Sequence, residues 1–339
     1  MSYLDDIKEQ PAALRRFVQG TERIALPGAR AAYDRIILTG MGGSHFANYY
    51  LWRALASQGI DTQWVASDEL LSWGDLPAGQ QTLVIAVSQS GGSGEVVTWA
   101  KRHAGRSDID ILAVTNNPEA RELLGTARAS VQIVAGPEET VSTKTYLNTL
   151  AAGRLIADAI AGQDPASTRE ELVQVADGIE AYLDGPWHAS IAPLIAADGE
   201  AKSRIVVGRD AAIGTALQGA LIIKEAAKVQ YEALSAGQFR HGPLDLADPS
   251  LLIWLFTGGS ATAEQDEKMV RELVGHGARV VTSGSAYDGV PQIELPATPA
   301  GYEEFGAIVP IELATIPLAE IRGLVPGEFR HNQKVTTDL

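Results

Sequence analysis

The sequence predicts an α/β protein made of two doubly wound parallel-sheet subdomains related by internal duplication. Three observations predict it. Short, continuous apolar runs alternate with helix-length amphipathic segments, the pattern of strands buried on both faces of a parallel sheet. The series of runs then begins again at an offset of about 168 residues. The length of 339 residues suits about two domains of ~150 residues each.

The first series comprises RIILTG (Arg35 to Gly40), TLVIAVS (Thr82 to Ser88), DILAVTN (Asp110 to Asn116) and SVQIVAG (Ser130 to Gly136), with helices expected over Ala47 to Gln58 and Glu95 to His103. RIVVGRD (Arg204 to Asp210), SLLIWLFTGGS (Ser250 to Ser260), ARVVTSGS (Ala278 to Ser285) and PQIEL (Pro291 to Leu295) repeat that series. Between the halves, Tyr146 to Ala161 reads as a helix, GQDPAST (Gly162 to Thr168) as a turn-rich linker and Arg169 to Tyr182 as a second helix. The expected organisation is therefore a single helical segment over 1–34, a first subdomain over 35–160, a helical connection over 161–200, a second subdomain over 201–325 and a polar tail over 326–339. The tail, PGEFRHNQKVTTDL, opens with the helix-breaking pair Pro326 and Gly327 and is expected to lie over another part of the molecule.

Composition narrows the function. Hydrophobic residues make up 45% and charged residues 20%, which is the balance of a packed chain rather than a disordered one. A net charge of −15 repels nucleic acid and anionic lipid, so neither is an expected partner. The absence of Cys removes disulfides, thiolate metal sites and a Cys nucleophile together. Apolar runs such as LLIWLF fall short of the ~20 residues of a membrane span, and MSYLDDIKEQ lacks the apolar stretch of a secretory signal. The expected location is the cytoplasm.

The strongest local signal for chemistry is VSQSGGSGEVV, where a buried strand delivers Ser88, Ser90 and Ser93 into a glycine-rich turn before a helix. A helix N-terminus offers unpaired N–H donors and a partial positive charge, so it holds a phosphate without Lys or Arg. The same serines also suit simple helix capping. GMGGSHF (Gly40 to Phe46), with Gly42, Gly43 and Ser44, and EETVSTK (Glu138 to Lys144) supply two further loops after strands of the same sheet. Three such loops at the carboxyl ends of one parallel sheet point to an anionic ligand. Neither GxGxxG nor GxxxxGK[ST] is present, and no His pair stands at i, i+4 beside an acid, so no nucleotide cofactor and no metal is expected.

In the second half, Glu225 lies on a helix with Leu221 and Ile222 one turn before it and Val229 one turn after. That apolar stripe favours a general base of raised pKa, while the spacing alone favours a surface ion pair with Lys228 at i+3. His241 follows in the turn-forming FRHGP. His103, His188 and His276 read as solvated loop residues.

AVSQSGGSGEVV, EETVSTKTY and above all LQGALIIKEAAKVQYEALSAGQFRHGPL resemble the sugar isomerase (SIS) domains of phosphosugar enzymes, best known from the isomerase half of glucosamine-6-phosphate synthase. The resemblance spans Ile36 to Leu339 and implies two SIS subdomains. It implies that Ser44, Ser88, Gln89, Ser90, Ser93 and the Val141-Ser142-Thr143 loop bind the sugar's phosphate and hydroxyls, that Glu225 moves a proton between C1 and C2, and that His241 assists ring opening from a neighbouring subunit of a homodimer. It also implies that Lys334 belongs to a tail that closes over the substrate.

Two departures stand out. Gln218 and Ile222 replace a Glu and a Lys of the synthases, and EETVSTK is one residue shorter than usual. With no glutaminase segment and no Cys, glutamine hydrolysis is not expected. The sequence thus points to a free-standing isomerase of a hexose or hexosamine 6-phosphate, with or without coupled deamination. A fructosamine-6-phosphate deglycase is the near alternative, and a non-catalytic sugar-phosphate sensor is the alternative from another class.

Overall fold

Two five-stranded sheets, each wholly parallel, organise the chain in a computed structural model that describes residues 2–257, 259–331 and 333–338. The first holds β1 (Arg35–Gly40), β2 (Gln63–Trp64), β3 (Thr82–Val87), β4 (Ile109–Thr115) and β5 (Ala129–Gln132) in the order β2-β1-β3-β4-β5. The second holds β6 (Ser203–Gly208), β7 (Glu232–Ser235), β8 (Leu251–Phe256), β9 (Arg279–Ser283) and β10 (Gln292–Ile293) in the order β7-β6-β8-β9-β10. Counted from its own first strand, each sheet reads 2-1-3-4-5, the doubly wound order in which ligands bind where the winding reverses. The repeated topology bears out the expected duplication. Gly258, in the segment expected to echo the first glycine-rich turn, lies outside the described residues.

The central strands explain why the apolar runs are continuous. Every residue of TLVIAV in β3 and of LLIWLF in β8 is buried, because helices cover both faces. On one face of the first sheet Ile37, Val84 and Ile111 pack with Trp99 of the helix Gly94–His103. In the second, Ile205 and Ile253 pack with Phe239 and Met269.

Two compact units result, one comprising Glu9–Ala176 with Phe329–Leu339 and the other Met1–Lys8 with Asp177–Glu328. The division falls inside the helix Ala166–Asp184. Among the described residues no helix is long and apolar enough to cross a membrane.

Several boundaries differ from expectation. The N-terminal segment is not one helix but two, Tyr3–Lys8 and Gln10–Gly20, and Pro11, which has no N–H to donate, sits in the first turn of the second. The helix expected from Ala47 begins at Gly42. β5 ends at Gln132 rather than reaching Gly136. Val134 takes φ 49°, a left-handed conformation that is costly for a β-branched residue, and the side chain of Asn116 replaces the missing ladder by accepting from the Ala135 N–H (2.8 Å) and donating to Gly136 O (2.8 Å).

Close backbone packing gives a test of the second-sheet unit. A Cβ at Gly178 would stand 1.8 Å from the carbonyl oxygen of Ala297, so Gly178→Ala must displace main chain. We expect it to lower the unfolding free energy by about 3 kcal/mol in denaturant titration.

Candidate functional site

The winding of the first sheet reverses between β1 and β3, and the glycine-rich loops follow those two strands. After β3, Ser88 is buried, and its hydroxyl lies 2.9 Å from Ser93 Oγ and accepts from the Ser93 N–H at 3.4 Å. Ser90 Oγ accepts from the Gly92 N–H at 3.1 Å, and the Gly91 N–H donates to Ser88 O at 3.0 Å. The loop is therefore folded on its own hydroxyls. Ser88 shapes it from within, while Gln89, Ser90 and Ser93 are partly exposed. Ser93 precedes the helix Gly94–His103 without a side-chain cap bond, leaving the first-turn donors of that helix other than the Gly94 N–H, which the tail's Thr336 O receives, as the loop's positive pole.

The end of β4 braces this loop, a role the sequence reading missed. Thr115 Oγ1 and the Asn116 N–H both donate to Gln89 O (3.1 and 2.9 Å), and Asn117 Nδ2 donates to Ser90 O (3.0 Å). Asn116 also holds residues 135 and 136, so one tripeptide ties the loop after β3 to the segment after β5. Side-chain amides at a strand's end were the only signal available.

After β1, Met41 precedes the helix Gly42–Ser57, with Gly42 exposed and Gly43 and Ser44 partly buried in its first turn. His45 stacks on Trp64 with ring centroids 4.2 Å apart and planes 3° from parallel. Burial pushes its imidazole down to about 4, against a smaller upward pull from Asp68.

In EETVSTK, Val141 and Thr143 are buried and Ser142 is partly so. Glu138, which the sequence reading quoted but did not single out, organises them. Its Oε1 accepts from the Thr143 N–H (2.9 Å), Thr143 Oγ1 (3.1 Å) and the Thr145 N–H (3.2 Å), and its Oε2 accepts from Thr145 Oγ1 (2.5 Å). The carboxylate thus caps the helix Lys144–Ala161. Lys144 is itself buried and ion-paired with Glu9 at 2.6 Å.

The polar tail belongs to this unit. Lys334 Nζ lies 2.9 Å from Glu138 Oε2 and also donates to Thr140 O. The Gly94 N–H donates to Thr336 O at 3.1 Å. Only glycine leaves room for this approach, because a Cβ at Gly94 would be 2.6 Å from Thr337 O. The structure therefore brings together the loop after β3, the Glu138 loop and Lys334.

Glu225 and His241 lie in the second-sheet unit. Glu225 is half-buried in the last turn of the helix Ala212–Ala227, with Gln218 and Ile222 fully buried on the same face. The helix stops at Ala227, so Val229 does not extend the apolar stripe by a turn as expected. Lys228 takes φ 56° and its ammonium donates to the main-chain carbonyls of Glu225 and Glu328. His241 is exposed just beyond the short helix Ala236–Arg240. Of the other histidines, His188 and His276 are exposed, but His103 is not solvated. It is buried, stacked on Trp99 at 4.2 Å with Nδ1 2.9 Å from Trp99 O. Among the described residues no group of three His, Asp or Glu is placed to hold a metal ion.

Residues 31–159 match the SIS domain. Curated relatives of the chain include the glutamine–fructose-6-phosphate aminotransferase (isomerizing) of Pyrococcus horikoshii, 29% identical over 355 residues that cover 98% of this chain and 57% of that protein. The chain thus spans little more than half of such relatives. Among solved structures, the C-terminal domain of glucosamine-fructose-6-phosphate aminotransferase from Francisella tularensis superposes with a TM-score of 0.83 at 19% identity, covering 96% of this chain and 97% of that one. Glucosamine-6-phosphate deaminase from Thermotoga maritima gives 0.78 at 22% identity, with 99% of each chain covered. Both share the fold.

The half-buried His45 makes stability depend on pH. Folding favours the neutral ring, so its contribution is complete above the ordinary pKa of 6.5 and is lost as pH falls from there toward 4. Unfolding free energy should drop by up to about 3 kcal/mol across that interval. In His45→Phe, which keeps a ring against Trp64, denaturant titrations at several pH values should show this part of the slope removed.

Proposed function

We propose that the chain is a sugar-phosphate isomerase acting on a hexose or hexosamine 6-phosphate by proton transfer between C1 and C2. The single observation that carries this reading is the loop after β3, a SIS-domain turn that presents hydroxyls and helix-N-terminal donors at the point where the sheet's winding reverses. Neutral donors of this kind suit a phosphate on a chain whose net charge is −15. In this reading Ser44, Gln89, Ser90, Ser93 and Ser142 contact the ligand, with Gly42 and Gly43 giving main-chain approach, while Ser88, Val141 and Thr143 shape the loops. Glu225 is the base, His241 assists ring opening across a homodimer, and Lys334 acts from the tail. The reaction belongs to the cytoplasm, where sugar phosphates are held.

Release of an amine is a second reading, supported by the likeness in fold to the glucosamine-6-phosphate deaminase of Thermotoga maritima and by Gln218 and Ile222 standing where the synthases have an acid and a cation. Ammonia release from glucosamine 6-phosphate, assayed beside simple aldose–ketose conversion, separates the two.

Loss of two hydrogen bonds to a charged phosphate costs roughly 1.5 to 3 kcal/mol each. Ser90→Ala with Ser93→Ala should therefore weaken binding of fructose 6-phosphate about 100-fold or more in calorimetry, and unchanged affinity would move the phosphate elsewhere.

Glu225→Gln keeps the side chain's shape but cannot take a proton. Turnover should fall about 10² to 10⁴-fold with binding retained. Exchange of the substrate's C1 or C2 hydrogen in deuterated water, followed by NMR, reads the step directly. Wild-type exchange in the variant would rule Glu225 out as the base.

A further inference from the structure

Glu138 has two oxygens with separate tasks. Oε1 takes the Thr143 N–H, Thr143 Oγ1 and the Thr145 N–H, which is helix capping and asks only for a neutral acceptor. Oε2 takes Thr145 Oγ1 and the Lys334 ammonium. Its side chain is fully buried, whereas that of Lys334 is 23% exposed. A buried carboxylate is costly unless a cation and a full set of donors meet it, so capping alone does not account for an acid at this position. The charge is explained by the lysine.

The position of Lys334 is in turn coupled to the loop after β3. Two residues further on, Thr336 O receives the Gly94 N–H, and a Cβ at Gly92 would be 3.6 Å from Val335 Cγ1. The tail is thus held at two points a few residues apart, one charged and one at the helix N-terminus that carries the candidate phosphate loop.

We infer that Glu138 is a positioning residue, whose buried carboxylate docks the tail and sets the Lys334 ammonium beside the loop after β3. The inference deepens the proposed function, since it rests on the reading of Lys334 as a residue of the site. Glu138→Gln retains an acceptor for the cap and removes the charge that holds the lysine. Lys334→Met removes the pair from the tail's side and leaves the buried loop untouched.

The test uses the full chain and two readouts. Hydrogen exchange of the Gly94 amide reports the tail, since its acceptor is Thr336 O, and should quicken about ten-fold or more in each variant while the β3 amides keep their protection. Steady-state kinetics on fructose 6-phosphate should show kcat of Glu138→Gln reduced about 10- to 100-fold with KM little changed. Adding it to Lys334→Met should bring no further loss.

Gly94 protection as in the wild type would overturn the docking role, and Lys334→Met alone decides this if Glu138→Gln does not fold. Losses that multiply in the double variant would overturn the dependence of one residue on the other. Turnover retained in Glu138→Gln but lost in Lys334→Met would overturn the positioning role and leave Lys334 in the site. Turnover retained in Lys334→Met would remove both.

Discussion

A parallel sheet covered by helices on both faces leaves chemistry only at the ends of its strands. Burial of the central strands supplies the stability, and it also confines polar side chains to the loops beyond the carboxyl edge. In the first sheet that edge carries serines, a threonine, two asparagines and main-chain N–H groups, with no cation from the loop after β3 itself. In the proposed function an anion at this edge is met by oriented dipoles. On a chain of net charge −15, such short-range donors confer recognition without a strongly basic surface.

These loops are held by polar contacts of long reach. Thr115, Asn116 and Asn117 hold the loop after β3 in place from the neighbouring strand, and Glu138 ties its own loop to the start of a buried helix. Val134, 43% exposed and in a left-handed conformation, marks where this network overrides the preference of a β-branched residue for the strand. Groups placed this way are preorganised, because their partners are fixed before any ligand arrives.

Much of the fold was legible in the sequence because it is written in periodicity. Continuous apolar runs identify strands buried on both faces, and their recurrence at one offset gives the duplication. The losses have physical reasons. The end of β5 is set by the side chain of Asn116, which periodicity does not encode, and the reach of the stripe around Glu225 is cut by the left-handed turn at Lys228. His103 was misread as a loop residue although it closes the expected helix over Glu95 to His103, where Trp99 one turn earlier is its stacking partner. In the site, the serines could be named from the turn chemistry around them. Glu138 stood in a quoted motif, yet its importance arises from a lysine far along the chain, and that lysine was singled out by resemblance alone.

The contact between Lys334 and Glu138 spans 196 residues of sequence. Closing so long a loop is entropically late, and an entire second sheet is synthesised between the two partners. During translation the first-sheet unit can therefore build its core well before its last strand of contacts exists. The tail can meet the loop only after the second sheet has been synthesised, so a newly made chain can pack the core of its first sheet before the Lys334–Glu138 contact closes.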